Sequence, residues 1–125
     1  WYATYDYRIQ IRDQMVEMYK QLPNPIPPIE DDYGVHQRWL VFYIDGVKVL
    51  NKPQPENVIN EYKKALEKEG WATEREYEHV RNDKNKIYGI NMRKGEFILS
   101  VSARENRDSI NIHLIKRDWI YNKGF

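Results

Sequence analysis

Three histidines, His36, His79 and His113, are the side chains best suited to move a proton near neutral pH or to hold a transition metal. No two of them stand at metal-ligand spacing. His79 and His113 could meet only if their strands were neighbours, with Glu78 or Asn111 close by. Without that motif spacing they read as exposed strand histidines. The run Glu30, Asp31, Asp32 offers oxygen ligands for a cation. It lacks the spaced acids and central glycine of a calcium loop, so it reads as a solvated acidic turn. Glu74, Glu76 and Glu78 alternate along one segment, as the wet side of a strand does, and show no second acid at a known separation for hydrolysis. Ser100 and Ser102 fall mid-strand, outside any nucleophile elbow. Gly34, Gly46, Gly89 and Gly95 are isolated and build no phosphate-cradling loop. The expectation is a protein that is not an enzyme, with no cofactor and no metal.

Composition agrees with a folded binding or structural domain. The 125 residues suit one domain, with 41% hydrophobic and 31% charged residues. The absence of cysteine excludes disulfides and thiol chemistry. Aromatic strands with Arg75, Arg93, Arg104 and Arg107 invite an RNA-binding reading. A net charge of +1 and the missing aromatic-and-basic strand motifs argue against it. No apolar run approaches the ~20 residues that span a bilayer. The chain begins at Trp1 rather than Met, which reads as the loss of a front segment, expected to be a signal or an anchor. Trp1, Tyr2, Tyr5 and Tyr7 fit either packing on the domain or a juxtamembrane position, because aromatic rings also collect at the membrane interface.

Positioning elements follow from periodicity. "YDYRIQIRD" alternates as a strand would, but residues 1–22 contain no turn residue. Ile11, Met15, Met18, Tyr19 and Leu22 follow helical spacing, and Tyr7 lies one turn earlier. The spacing predicts a helix over 3–22 that ends before Pro23. The proline-rich stretch 23–34 reads as a stiff linker. In "RWLVFYIDGVKVL", Asp45-Gly46 has the composition of a tight hairpin turn between two strands. Period-2 patterns then predict strands over 71–80, 86–92, 96–103 and 109–116, with Lys94-Gly95 as a turn. Trp119 and Tyr121 suggest a further edge strand in the tail.

Residues 55–71, "PENVINEYKKALEKEGW", form the most informative stretch. Pro55 suits a first helical position. Glu56 at the start and Lys63, Lys64 and Lys68 toward the end complement the helix dipole. Val58, Ile59, Tyr62, Ala65 and Leu66 make one apolar stripe. Gly70 can leave the helix in a left-handed conformation, and Trp71 then folds back toward Leu66 or Tyr62. The pattern Pro55-x-x-Val58-x-x-x-Tyr62-x-x-x-Leu66-x-x-x-Gly70-Trp71, followed by antiparallel strands, resembles a module of bacterial lipoproteins and other exported proteins. The resemblance covers about residues 53–116 and implies an extracytoplasmic address with no catalytic residues. It departs from the lipoprotein form in having no lipidation cysteine.

The expected fold is α+β: an antiparallel sheet of about five strands with one helix packed on one face, plus a separate N-terminal helix. The expected organisation is an N-terminal helix over 1–22, a linker over 23–34 and an α+β domain over 35–125. The expected role is that of a non-enzymatic extracytoplasmic domain of a membrane-anchored or exported bacterial protein, acting by protein–protein contact. The alternative is a small ligand- or nucleic-acid-binding module using the open sheet face. A helix tethered by a proline linker can lack cover from its own domain. Tyr7, Ile11, Met15, Met18 and Tyr19 are therefore the expected surface for a protein partner or for self-association.

Overall fold

A computed structural model describes residues 2–38 and 41–116, with side chains described from Arg8 onward. The order of elements is α1 (Tyr2–Gln21), β1 (Glu30–Arg38), β2 (Val41–Val49), α2 (Pro55–Lys68), β3 (Ala72–Val80), β4 (Lys86–Lys94), β5 (Phe97–Arg104) and β6 (Ser109–Lys116). The fold is α+β. All strands join one six-stranded sheet in the order β1-β2-β6-β5-β4-β3. Every neighbouring pair is antiparallel. The long move from β2 to the far edge at β3 is carried by α2.

Both helices lie on the same face. Register places Ile44, Gly46 and Lys48 beside Leu114, Ile112 and Ile110. Those in turn stand beside Leu99, Val101 and Ala103, then Met92, Ile90 and Tyr88. Helix α1 covers β2 and β6 of this layer, and α2 covers β3, β4 and β5. Ile11, Met15, Tyr19 and Leu22 of the α1 region join Val58, Ile59, Tyr62 and Leu66 of α2 in a common core.

Three expectations change. First, α1 is not a separate element: Met15 is wholly buried, and Ile11 and Tyr19 nearly so, against the chain's own sheet. The linker reaches the core side as well, because Ile26 packs on the cluster. Second, the stretch assigned to linker and acidic turn contains the start of β1. Ile29 N–H donates to Val49 O (2.7 Å), and pairing runs from Glu30 to Arg38. Its polar composition suits an edge strand, which charge protects from pairing with other chains. This is the strand that raises the count to six.

Third, Asp45-Gly46 is no turn. Strand β2 runs straight through it, with Asp45 opposite Gly34 on one side and His113 on the other. Gly46 is there because the Tyr19 ring lies on it: any Cβ at that position would overlap the tyrosine hydroxyl. The glycine that resembled a chain reversal is a seat for α1.

The α2 terminus forms as its sequence requires. Gly70 adopts φ +94°. Gly70 N–H donates to Glu67 O (3.1 Å) and Trp71 N–H to Leu66 O (3.1 Å), the paired bonds of a Schellman motif. Trp71 is buried in the core beside the helix it terminates. The tail residues Trp119 and Tyr121, and Trp39 and Leu40, lie outside the described residues, as does the Tyr7 side chain.

Candidate functional site: the uncovered face of the sheet

Because both helices occupy one face, the other carries no helix among the described residues. Alternation along each strand decides what it presents. From β2 come Tyr43, Asp45 and Val47, and from β1 come His36 and Gly34, their partners on the same side. Strand β6 adds His113 and Asn111, β5 adds Ser100 and Ser102, β4 adds Asn91 and Gly89, and β3 adds Arg75 and Tyr77. The face is mixed: hydrogen-bonding side chains and a few aromatic rings stand beside the aliphatic Val47, Ile115, Ile98 and Ile87.

On its β1–β2–β6 half the rings of His36, Tyr43 and His113 form a row running in from the sheet edge. His36 stacks on Tyr43 with centroids 5.1 Å apart, and Tyr43 meets His113 at 5.5 Å. His113 Nδ1–H donates to Asp45 Oδ1 at 2.5 Å, a contact that places the ring proton on that nitrogen because a carboxylate only accepts. Ser100 is paired opposite His113 in the ladder, but its hydroxyl donates to Asn91 Oδ1 at 2.8 Å. The serine is thus engaged away from the histidine. The row is better described as an aromatic and hydrogen-bonding patch than as a nucleophile with its base. At the other side of the face, Tyr77 lies across Gly89, where a Cβ would overlap its ring, and the Arg75 guanidinium sits 5.5 Å from the Tyr77 centroid.

The structure separates residues that the sequence had grouped. His79 is on β3 and His113 on β6, with β4 and β5 between them, so they do not meet. The histidine that joins His113 is His36, through Tyr43. Alternation along β2 would have found this row had Asp45 not been read as a turn. Glu74, Glu76 and Glu78 are each engaged by a cation: Arg93 at 3.7 Å, Lys63 at 3.0 Å and Lys86 at 2.8 Å. Asp31 points to the covered face and pairs with Lys48 at 3.4 Å. Among the described residues no group of three or more His, Cys, Asp or Glu side chains is arranged to hold a metal ion.

Of the expected partner-contacting residues, Ile11, Met15 and Tyr19 are core and Met18 is half-buried, packed against it. The expectation that this stripe lacks cover from its own domain is corrected. The apolar spacing that suggested an exposed interface is the spacing of an ordinary core-facing helix.

Several clefts lie outside the row. One of about 680 Å³ runs between Pro23, Pro25 and α2, where Glu61, Lys64, Glu67 and Lys68 mix both signs of charge. A smaller one, about 190 Å³, opens between the β3–β4 and β5–β6 connections and is lined by Arg81, Arg104 and Arg107 together with Ser102, Ser109 and Asn111. Arg104 and Arg107 are among the arginines that invite an RNA-binding reading of the sequence; nothing in the sequence singles out Arg81. Their convergence depends on two turns that the sheet order brings to one end.

These features define an α+β domain with a two-helix layer on one side and a mixed polar, aromatic and aliphatic sheet surface on the other. Searches of known family models, curated proteins and solved structures returned no match to this chain. No helix among the described residues is long and apolar enough to cross a membrane.

Proposed function

We propose that the chain is a non-enzymatic, extracytoplasmic domain of an exported or membrane-anchored bacterial protein, and that it works by protein–protein contact through its uncovered sheet face. The observation that carries this reading is the His36–Tyr43–His113 row, three rings in contact on a face that no described helix covers. Tyrosine and histidine combine apolar area with a polar edge, which suits a contact surface that must stay soluble when free. The neighbouring Ser100, Ser102, Asn91 and Asn111 supply the hydrogen-bonding rim such contacts use. The extracytoplasmic address rests on the likeness of residues 55–71 to the exported-protein module.

A photo-crosslinking amino acid placed at Tyr43 in producing cells tests this. It should give discrete protein adducts, with the same probe at Asn60 on the solvent side of α2 giving none. Equal labelling from both positions, or none from position 43, would overturn the reading. Fractionation of the same cells checks the address, with the domain expected outside the cytoplasm.

Arg75 stacked on Tyr77 favours one second reading, a nucleic-acid or small-ligand module on the same face. It requires salt-dependent binding of mixed oligonucleotides at low ionic strength.

A further inference from the structure

The cleft between the β3–β4 and β5–β6 connections has an unusual donor balance. Arginine offers only donors, and the guanidinium stays charged at any accessible pH. Of the nearby carboxylates, one pairs with Arg104 and none pairs with Arg81 or Arg107 among the described residues. Asp83 accepts from Asn85 N–H (3.1 Å) and from Arg104 Nη2 (3.0 Å). Its carboxyl is held below the ordinary range, first by the Asn85 backbone N–H and further by Arg104. Glu105 is occupied by the backbone N–H of Lys86 (2.7 Å). Asp108, the remaining acid of the β5–β6 connection, forms no ion pair among the described residues. Arg81 and Arg107 likewise have no ion-pair partner among the described residues.

Arg104 adds an independent sign. Its Nη2 is held by Asp83, but its Nε is shielded from solvent and meets no acceptor among the described residues. A buried charged donor without an acceptor is costly, and a site for an anion removes that cost. The remaining wall carries Ser102, Ser109 and Asn111, all able to donate, beside the apolar Ile87 and Ala103. Donors thus come from three strands or their connections toward one small volume. At about 190 Å³ the cleft is smaller than the pockets that enclose drug-sized ligands, and it suits a single oxyanion group.

We propose that Arg81, Arg104 and Arg107, with Ser102, Ser109 and Asn111, form a binding site for a phosphate group. Convergent donors from several directions match a tetrahedral anion with many lone pairs better than a planar carboxylate, which a single guanidinium fork already satisfies. The site lies at the end of the uncovered face; it shares Ser102 and Asn111 with the rim of the partner contact proposed above, while Arg81 and Arg107 lie outside that rim. The phosphate can be free or carried on a lipid headgroup, and the experiment separates the two.

Inorganic phosphate is titrated into the ¹⁵N-labelled chain at constant ionic strength, with acetate and chloride as controls. Saturable amide shifts at Ser102, Ser109 and Asn111 are expected with phosphate, at a millimolar midpoint, and unsaturated drift with the controls. Arg81→Gln and Arg107→Gln sit on exposed turn positions and leave folding intact. Each is expected to weaken binding roughly tenfold, and the pair to abolish it. Cosedimentation with phosphatidylcholine vesicles containing phosphatidic acid is run in parallel. Vesicle binding lost in the double variant assigns a headgroup source, and phosphate binding without vesicle binding assigns a soluble one. Phosphate shifts that match chloride, or that survive in the double variant, overturn the proposal.

Discussion

The Tyr19 ring of α1 rests directly on Gly46 of β2, so closely that a Cβ there would stand 2.8 Å from Cζ as well as overlapping the hydroxyl. Helix and sheet are registered by this contact, because a rigid ring in a close-packed interior has no alternative place to go. Gly46→Ala is therefore expected to lift α1 from β2 and to cost about 1–3 kcal/mol, the usual range for overpacking. Denaturant unfolding measures it. Tyr19→Leu in the same background should recover part of the loss, since the two positions share one contact and are not additive.

Tyr19 and Tyr62 make stability fall at alkaline pH. Burial pushes both phenols above their ordinary value, and the Asp31 carboxylate adds to this. A raised folded-state value means that the protonated ring is favoured in the fold. The contribution is complete below the unfolded value of about 10 and is lost as pH rises above it, at up to about 1.4 kcal/mol per pH unit per group. Neither hydroxyl has a hydrogen-bond partner among the described residues. Tyr62→Phe should thus leave stability at pH 7 unchanged or raise it by up to about 1 kcal/mol, and should reduce the alkaline loss. Thermal melts between pH 7 and 11 give both quantities. An unchanged alkaline slope in the variant would remove Tyr62 from the account.

Lys48 is the buried cation of the covered face, only 3% exposed. It donates to Asn24 Oδ1, lies 3.4 Å from Asp31 and sits 6.0 Å from the Tyr19 centroid. It thereby ties the linker and β1 to the seat of α1. Asp31 is partly exposed, which screens its attraction. Asp31→Ala should cost about 1–2 kcal/mol, less than the cost of breaking a fully buried pair, because the lysine would be left without its anion. Lys48→Met, which removes the charge and keeps the length, should cost less than Asp31→Ala. Urea unfolding of the two variants side by side checks the order, and the reverse order would show that the lysine charge itself stabilises the fold.

How much of this was legible depended on whether a residue's role was local. The helix over 55–68 and its Gly70-Trp71 ending follow from neighbours within one turn, and they could be read directly. So could strands β4, β5 and β6, whose alternation reports one buried face. Gly46 could not be read, because its reason lies on α1, 27 residues earlier in number than Gly46 itself (46 minus 19). A local rule for Asp-Gly gave a turn, and a tertiary contact overrode it. Strand β1 was missed for a related reason: an edge strand with Glu30, Asp31 and Asp32 carries little apolar signal. With β1 missed and a turn placed at Asp45-Gly46, His36 had no strand, and the pairing that brings Tyr43 beside His113 could not be read. The arginine cleft was hidden more deeply, since it requires the β3–β4 and β5–β6 connections to share one end of the sheet.

The Schellman ending of α2 separates backbone strain from burial by two substitutions at adjacent positions. Gly70 holds φ +94°, and a Cβ there meets nothing closer than the flexible end of Lys94 at 3.7 Å. Gly70→Ala therefore has space, and its expected cost of about 1–2 kcal/mol is conformational. Trp71→Ala leaves the backbone bonds intact and removes a buried indole from the core, with an expected cost of about 3–5 kcal/mol. Gly70→Asn should cost less than Gly70→Ala, because asparagine tolerates the left-handed region. Equilibrium unfolding of the three variants measures this. A Gly70→Ala loss equal to that of Trp71→Ala would mean that the chain reversal, and not the buried ring, anchors α2 to the sheet.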